Sequence, residues 1–113
     1  MSKYNNKKVQ VDMKVFDSAL EAKRYRQLVL LERAKAIRNL QLQVPFLLQK
    51  GFRKNEKTYR RIEYIADFVY EENGKTVIED TKGVKTEVFK IKQKLFEYKY
   101  PNLSIKIITK EDI

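Results

Sequence analysis

Apolar and polar positions alternate along this chain in two rhythms, a period of two that marks half-buried strands and a period near 3.6 that marks helices. After a polar, basic stretch at residues 1–8, Val9, Val11, Met13 and Val15 alternate with polar residues and predict a short strand. Ser18 then opens a helix reaching about Ala36, because Ser18-Ala19-Leu20-Glu21 has the form of a capping box and Glu21, Tyr25 and Leu28 share one helical stripe. The run from Leu40 to Gln49 reads as a strand, with Pro45 restricting its middle to an edge or bulge. Gly51 to Lys57 reads as a basic loop. A second strand is expected from about Thr58 to Tyr70 and a third from about Thr76 to Lys82. The second helix runs from about Glu87 to Tyr98, and its wide apolar face comprises Val88, Phe89, Ile91, Leu95 and Phe96. The last strand is Leu103 to Ile108, where Ile105 and Ile107 alternate with lysines.

This order predicts a single α/β domain over residues 9–113, preceded by a basic flexible arm at residues 1–8. Its core is αβββαβ: a mixed sheet flanked by helices, with a short extra strand at the N-terminus. The three central strands are antiparallel neighbours, and the last helix and strand return as a crossover.

Asn73-Gly74 lies between two apolar, β-branched runs and is a strong short-range hairpin signal. Taking these two as the turn, Glu72 faces Lys75, Tyr70 faces Val77 and Asp67 faces Asp80. Two carboxylates opposite each other destabilise a sheet unless something compensates them. Lys82 follows Asp80 by two residues and points to the same face. Two acids and a lysine on one sheet face form the layout of a metal-dependent phosphodiesterase site. Glu79 is expected on the opposite face, although a one-residue slip would exchange it with Asp80.

Composition narrows the chemistry. The 113 residues include no cysteine and no histidine, which removes disulfides, thiol nucleophiles and a histidine base. Any metal must then be held by oxygen, which favours Mg²⁺ or Mn²⁺. A net charge of +10 points to a polyanionic partner, with a solubilising lysine coat as the plainer alternative. No apolar run is long enough to span a bilayer, and the N-terminus lacks a signal-peptide stretch, so an intracellular protein without a membrane partner is expected.

Glu21 reads both as the return half of the capping box and as a third acid directed at the sheet. Lys82 is either a strand-end lysine that reaches out to solvent or a group that orients the attacking water and stabilises charge on phosphate. Lys92 projects from within the apolar face of the second helix, so it must snorkel or reach an acid or phosphate. Gln43 is a weaker candidate for supporting the site. Arg53, Lys54, Arg60, Arg61 and Lys85, interleaved in part with aromatic residues, are candidate phosphate contacts.

The ordered set resembles the PD-(D/E)XK nuclease superfamily and, within it, a small phage and prophage family. The resemblance rests on Phe16-Asp17-Ser18-x-Leu20-Glu21-Ala22, Tyr64-Ile65-Ala66-Asp67-Phe68, Glu79-Asp80-x-Lys82-Gly83 and Lys94-Leu95-Phe96-Glu97-x-x-Tyr100-Pro101. The proline expected before the first aspartate is Ala66 here. The resemblance implies a restriction-endonuclease-like fold and Mg²⁺- or Mn²⁺-dependent cleavage of DNA. Glu21, Asp67, Asp80 and the Thr81 backbone carbonyl are its implied metal ligands, and Lys82 its signature lysine. It also implies a bacterial cytoplasmic setting of phage or prophage origin. By analogy the small size leans toward branched or recombination intermediates such as Holliday junctions, and paired cuts would need a homodimer. The rival expectation is a non-catalytic DNA-binding protein that keeps the nuclease fold. A small adaptor for an acidic protein partner is a third.

Overall fold

The computed structural model describes residues 7–113. In chain order the elements are β1 (Val9–Val11), β2 (Lys14–Phe16), α1 (Ala19–Arg33), β3 (Arg38–Gln49), β4 (Phe52–Lys54), β5 (Lys57–Tyr59), β6 (Ile62–Glu72), β7 (Lys75–Thr81), α2 (Glu87–Lys99), β8 (Ile105–Ile108) and a final 3-10 turn, Lys110–Asp112.

Three two-residue turns share one backbone solution. Asp12-Met13, Asn55-Glu56 and Asn73-Gly74 all have positive φ, at 51° and 67°, 51° and 61°, and 53° and 76°. Left-handed turns of this kind match the twist of the strands they join. Only the third carries the Asn-Gly signature, and there the expected pairs Glu72–Lys75 and Tyr70–Val77 form. The other two correct the sequence reading. The single strand expected over Val9 to Val15 is a hairpin, β1–β2, and the basic loop is a second hairpin, β4–β5. The second central strand consequently starts at Ile62 rather than Thr58. Most of the basic arm at residues 1–8 lies outside the described residues; Lys7 and Lys8 are exposed, and Lys8 Nζ lies 3.0 Å from Asp17 Oδ1.

Helix α1 begins as expected, with the Glu21 N–H donating to Ser18 Oγ at 3.1 Å. It stops at Arg33, short of the expected Ala36. Lys35 takes φ 63°, its N–H donates to the Glu32 carbonyl, and the Ala36 N–H donates to the Leu31 carbonyl. That is a Schellman ending with lysine in the place glycine usually holds, so the usual residue signal is missing. The main sheet has the order β3-β6-β7-β8, antiparallel except for the parallel β7–β8 pair. The chain is therefore a mixed α/β domain with the αβββαβ order. Pro45 sits on the edge strand β3, where a missing N–H is tolerated, and β3–β6 pairing shifts at both ends.

Two apolar clusters flank the sheet. One joins Ala22, Tyr25 and Leu28 of α1 to Phe16, Ile37, Phe68 and Tyr70. The other joins Phe89 and Phe96 of α2 to Tyr64, Ala66, Ile78 and Ile105. Phe68 and Ala66 have the same strand parity yet serve different clusters, and Leu42 and Phe46 on β3 divide in the same way. The pleat thus changes sides near Asp67, where Gln43 on the facing strand has φ 54°. The apolar face expected on α2 is narrower than its sequence: Val88 and Ile91 are 62% and 60% exposed.

On the α1 side, Glu79 is fully buried. Its carboxylate accepts from Arg24 Nε at 2.8 Å and Nη2 at 2.6 Å, and from the Tyr70 hydroxyl. Arg24→Ala would leave that carboxylate without its cation, so we expect a loss of about 3–5 kcal/mol in chemical denaturation. Lys8→Ala, which removes an exposed pair, should cost about 0–1 kcal/mol in the same measurement.

Candidate active site

Glu21, Asp67, Asp80 and Lys82 meet at one cavity of about 470 Å³. Its walls come from the start of α1 (Asp17, Ser18, Leu20, Glu21), from β6 (Asp67), from the end of β7 (Asp80, Thr81) and from the segment leading to α2 (Lys82 to Val84, Thr86). The Ser18 cap starts α1 at the cavity wall, and Glu21, the one polar side chain of its Ala19-Leu20-Glu21-Ala22 first turn, is 5% exposed.

Each acid is held by a different element. Asp67 Oδ2 accepts from both the N–H and the hydroxyl of Thr81, each at 2.8 Å. Asp80 Oδ2 accepts from the Tyr64 hydroxyl at 2.9 Å and lies 3.4 Å from Lys82 Nζ. Glu21 Oε2 accepts from Gln43 Nε2 at 3.0 Å, and the same nitrogen is 3.5 Å from Asp67 Oδ1. The positive-φ residue on β3 therefore bridges two of the three acids. The last β6–β7 ladder pair is Phe68–Glu79, which puts Asp67 and Asp80 at the next level, as the turn register requires. Lys82 is anchored through its N–H to the Ile108 carbonyl at 3.0 Å, and its ammonium stands 4.4 Å from the centre of the Phe89 ring.

The electrostatics are those of a crowded acidic cavity in a basic protein. Burial, then the charges of Asp67 and Asp17, push Glu21 up from 4.5 to about 7. Burial, then the hydrogen bond and charge of Asp67, push Asp80 from 3.8 to about 7, while Lys82 and Tyr64 pull it down. Burial and the neighbouring Asp80 also raise the Tyr64 phenol.

All available donors are oxygens, which suits a hard divalent cation, and excess carboxylate charge is what such a cation compensates. One detail differs from the expected ligand set of Glu21, Asp67 and Asp80. Among the described residues, no group of three acidic side chains is arranged to hold a metal ion. Thr81, Tyr64 and Gln43 each engage one oxygen of a different carboxylate. The donor chemistry fits a divalent cation at Asp67 and Asp80, with Thr81 on the same wall; Glu21 borders the cavity through its contact with Gln43.

Sequence reasoning missed Tyr64 and the Thr81 side chain. Strict alternation puts Tyr64 and Asp67 on opposite faces, and only the change of side near Asp67 brings the phenol to Asp80. Lys92 is half-buried and lines a smaller cavity of about 270 Å³ with Asp80, Lys82 and Tyr64, so it reaches the edge of the site. Arg53, Lys54, Arg60, Arg61 and Lys85 are exposed and do not line the main cavity.

The architecture and cavity define a mixed α/β protein with a carboxylate-rich site. Residues 1–112 match the family model described as "Protein of unknown function (DUF1064)", and the chain belongs to that family. No curated protein and no solved structure matches it. No helix among the described residues is long and apolar enough to cross a membrane.

Two outcomes are expected without metal. Because Glu21 and Asp80 keep protons in the folded chain that the unfolded chain has lost, their contribution to stability falls as pH rises from about 4 through about 7. In EDTA, Asp80→Asn should therefore raise the melting temperature more at pH 8 than at pH 5. Tyr64→Phe removes a donor to the charged carboxylate, so carboxyl-carbon NMR titration should show Asp80 titrating at higher pH than in wild type.

Proposed function

We propose that this protein is a metal-dependent deoxyribonuclease of the PD-(D/E)XK type that hydrolyses phosphodiester bonds in DNA. The supporting observation is the convergence of Glu21, Asp67, Asp80 and Lys82 on one cavity in a chain of net charge +10. The αβββαβ order and the motifs around these residues point the same way. Asp67 and Asp80, with the Thr81 carbonyl, would hold Mg²⁺ or Mn²⁺. The cation would supply charge neutralisation and Lewis-acid polarisation of the phosphate.

The chain's own groups do the rest. Thr81 fixes Asp67 and Tyr64 fixes Asp80, so neither carboxylate need reorganise when DNA arrives. Lys82 Nζ, beside Asp80, can donate to a non-bridging phosphate oxygen and hold the attacking water in line. Glu21, raised toward neutrality at the cavity wall, can accept a proton from that water. The smaller Lys92 cavity next to Asp80 offers a cation to an adjoining phosphate. Branched or recombination DNA is the substrate class we favour, and a homodimer would deliver paired cuts.

A non-catalytic DNA-binding role is the second reading, favoured by the way the carboxylates are tied up in hydrogen bonds within the chain. Labelled four-way junction, flap, duplex and single-stranded DNA, incubated with Mg²⁺, Mn²⁺ or EDTA, separates the two. We expect cleavage only with metal, reduced about 10²-fold or more in Asp80→Asn and Lys82→Ala. Cleavage in EDTA, or unchanged rates in both variants, would sink the nuclease reading, and salt-sensitive binding without cleavage would favour the alternative.

A further inference from the structure

We infer that the β4–β5 hairpin is a separate duplex-gripping arm, which binds a double-stranded DNA segment up to about one helical turn away from the acidic cavity. The inference deepens the nuclease reading and rests on it for the location of the scissile bond.

The hairpin forms its own two-stranded sheet, outside the main one. Every residue from Gln49 to Arg61 is exposed. That segment carries Lys50, Arg53, Lys54, Lys57, Arg60 and Arg61 against a single acid, Glu56. Among the described residues, Arg61 alone of the six has a carboxylate partner, Glu63 at 2.7 Å. Lys54 is paired directly with Lys57 across the ribbon. Like charges in that position destabilise a hairpin, and an isolated ribbon has little core to offset them. A polyanion lying along the ribbon compensates them.

The aromatic residues decide which polyanion. Phe52 and Tyr59 are partly exposed, the feature expected of a platform for single-stranded bases. Here they stack on each other, with centroids 4.8 Å apart and planes 9° apart, and Lys57 Nζ stands 5.0 Å from the centre of the Tyr59 ring. Their faces are thus partly taken by each other and by the Lys57 ammonium, and Lys54 and Lys57 follow them on the same face of the ribbon. A two-stranded ribbon also has the dimensions of the major groove.

Spacing follows from the strands. Arg61 and Lys57 precede Asp67 by six and ten residues, a chain path of at most about 20 Å and about 34 Å at ~3.4 Å per extended residue, and less where the chain leaves β6 for the hairpin. One turn of duplex covers ~34 Å. Gly51 makes the joint between sheet and hairpin: a Cβ there would lie 3.0 Å from the Tyr59 carbonyl oxygen and 3.2 Å from the Arg61 nitrogen.

The test is fluorescence anisotropy of the full chain in EDTA with labelled duplexes of about 8 to about 24 base pairs, which bracket one helical turn. Wild-type affinity should climb once the duplex exceeds one turn. Lys54→Glu places a carboxylate opposite Lys57, so the ribbon keeps or gains stability while the arm loses charge. This variant should abolish the climb, weaken long-duplex binding about 10-fold and flatten the salt dependence by about one to two in slope. Lys94→Glu, an equal charge change on the exposed side of α2, should leave the climb in place. Unchanged binding by Lys54→Glu, an equal loss with Lys94→Glu, or equal affinity for single strands of the same length would overturn the inference. Because binding is read without metal, a chain that shows this length dependence but never cuts DNA would keep the arm and lose the nuclease reading.

Discussion

The pairing register of β6 with β7 is the constraint on which the rest depends. Asn73-Gly74 sets it, and every pair from Glu72–Lys75 to Phe68–Glu79 follows. Adjacent residues of β7 then take opposite fates: Glu79 enters the α1 side to meet Arg24 and Tyr70, and Asp80 turns to Tyr64 and Lys82. A slip of one residue would give Arg24 an aspartate too short to span the same gap and would put Glu79 in the cavity. The buried Arg24–Glu79 pair acts as a lock on register rather than as a large net source of stability, since its desolvation offsets much of its attraction. Two independent devices, a local turn and a long-range ion pair, therefore specify the same alignment.

The site built on that alignment is unfavourable for folding by itself. Glu21, Asp67 and Asp80, with Asp17 at the wall, face one ammonium, and Glu21 and Asp80 are pushed toward neutrality by burial and then by Asp67. The surrounding donors limit the penalty. Thr81 supplies two bonds to Asp67, Tyr64 one to Asp80 and Gln43 one to Glu21. Gln43 does so with its backbone in the left-handed region, a conformation that normally costs a non-glycine residue about 1 kcal/mol or more. Local consistency is thus given up where the chemistry is concentrated, a pattern expected of functional sites.

The hairpins show how far local rules reach. Three turns have the same left-handed backbone, yet Asp12-Met13 and Asn55-Glu56 lack the glycine that announces it. The strands around them are short, and the alternation of Val9, Val11, Met13 and Val15 runs straight through the first turn without marking it. Side-chain packing accompanies each: Phe16 at the end of the first hairpin is buried against Tyr25 of α1, with ring centroids 5.0 Å apart, and within the second hairpin Phe52 stacks on Tyr59. Helix α1 ends in the same fashion, with lysine where glycine is usual.

The αβββαβ order, the Ser18 cap, the restriction of Pro45 to an edge or bulge, the central hairpin and the meeting of Asp67 with Asp80 could all be read from the chain, because each follows from spacing and local backbone preference. Strict alternation also sent Glu79 to the opposite face, though nothing local named Arg24 as its partner across 55 positions. Tyr64 became a neighbour of Asp80 only because the sheet changes sides near Gln43, and the exposure of Val88 and Ile91 reflects where α2 settles on that bent sheet. Periodicity describes a straight strand or helix; where a sheet bends and which side chains it gathers is decided by packing between elements far apart in the chain.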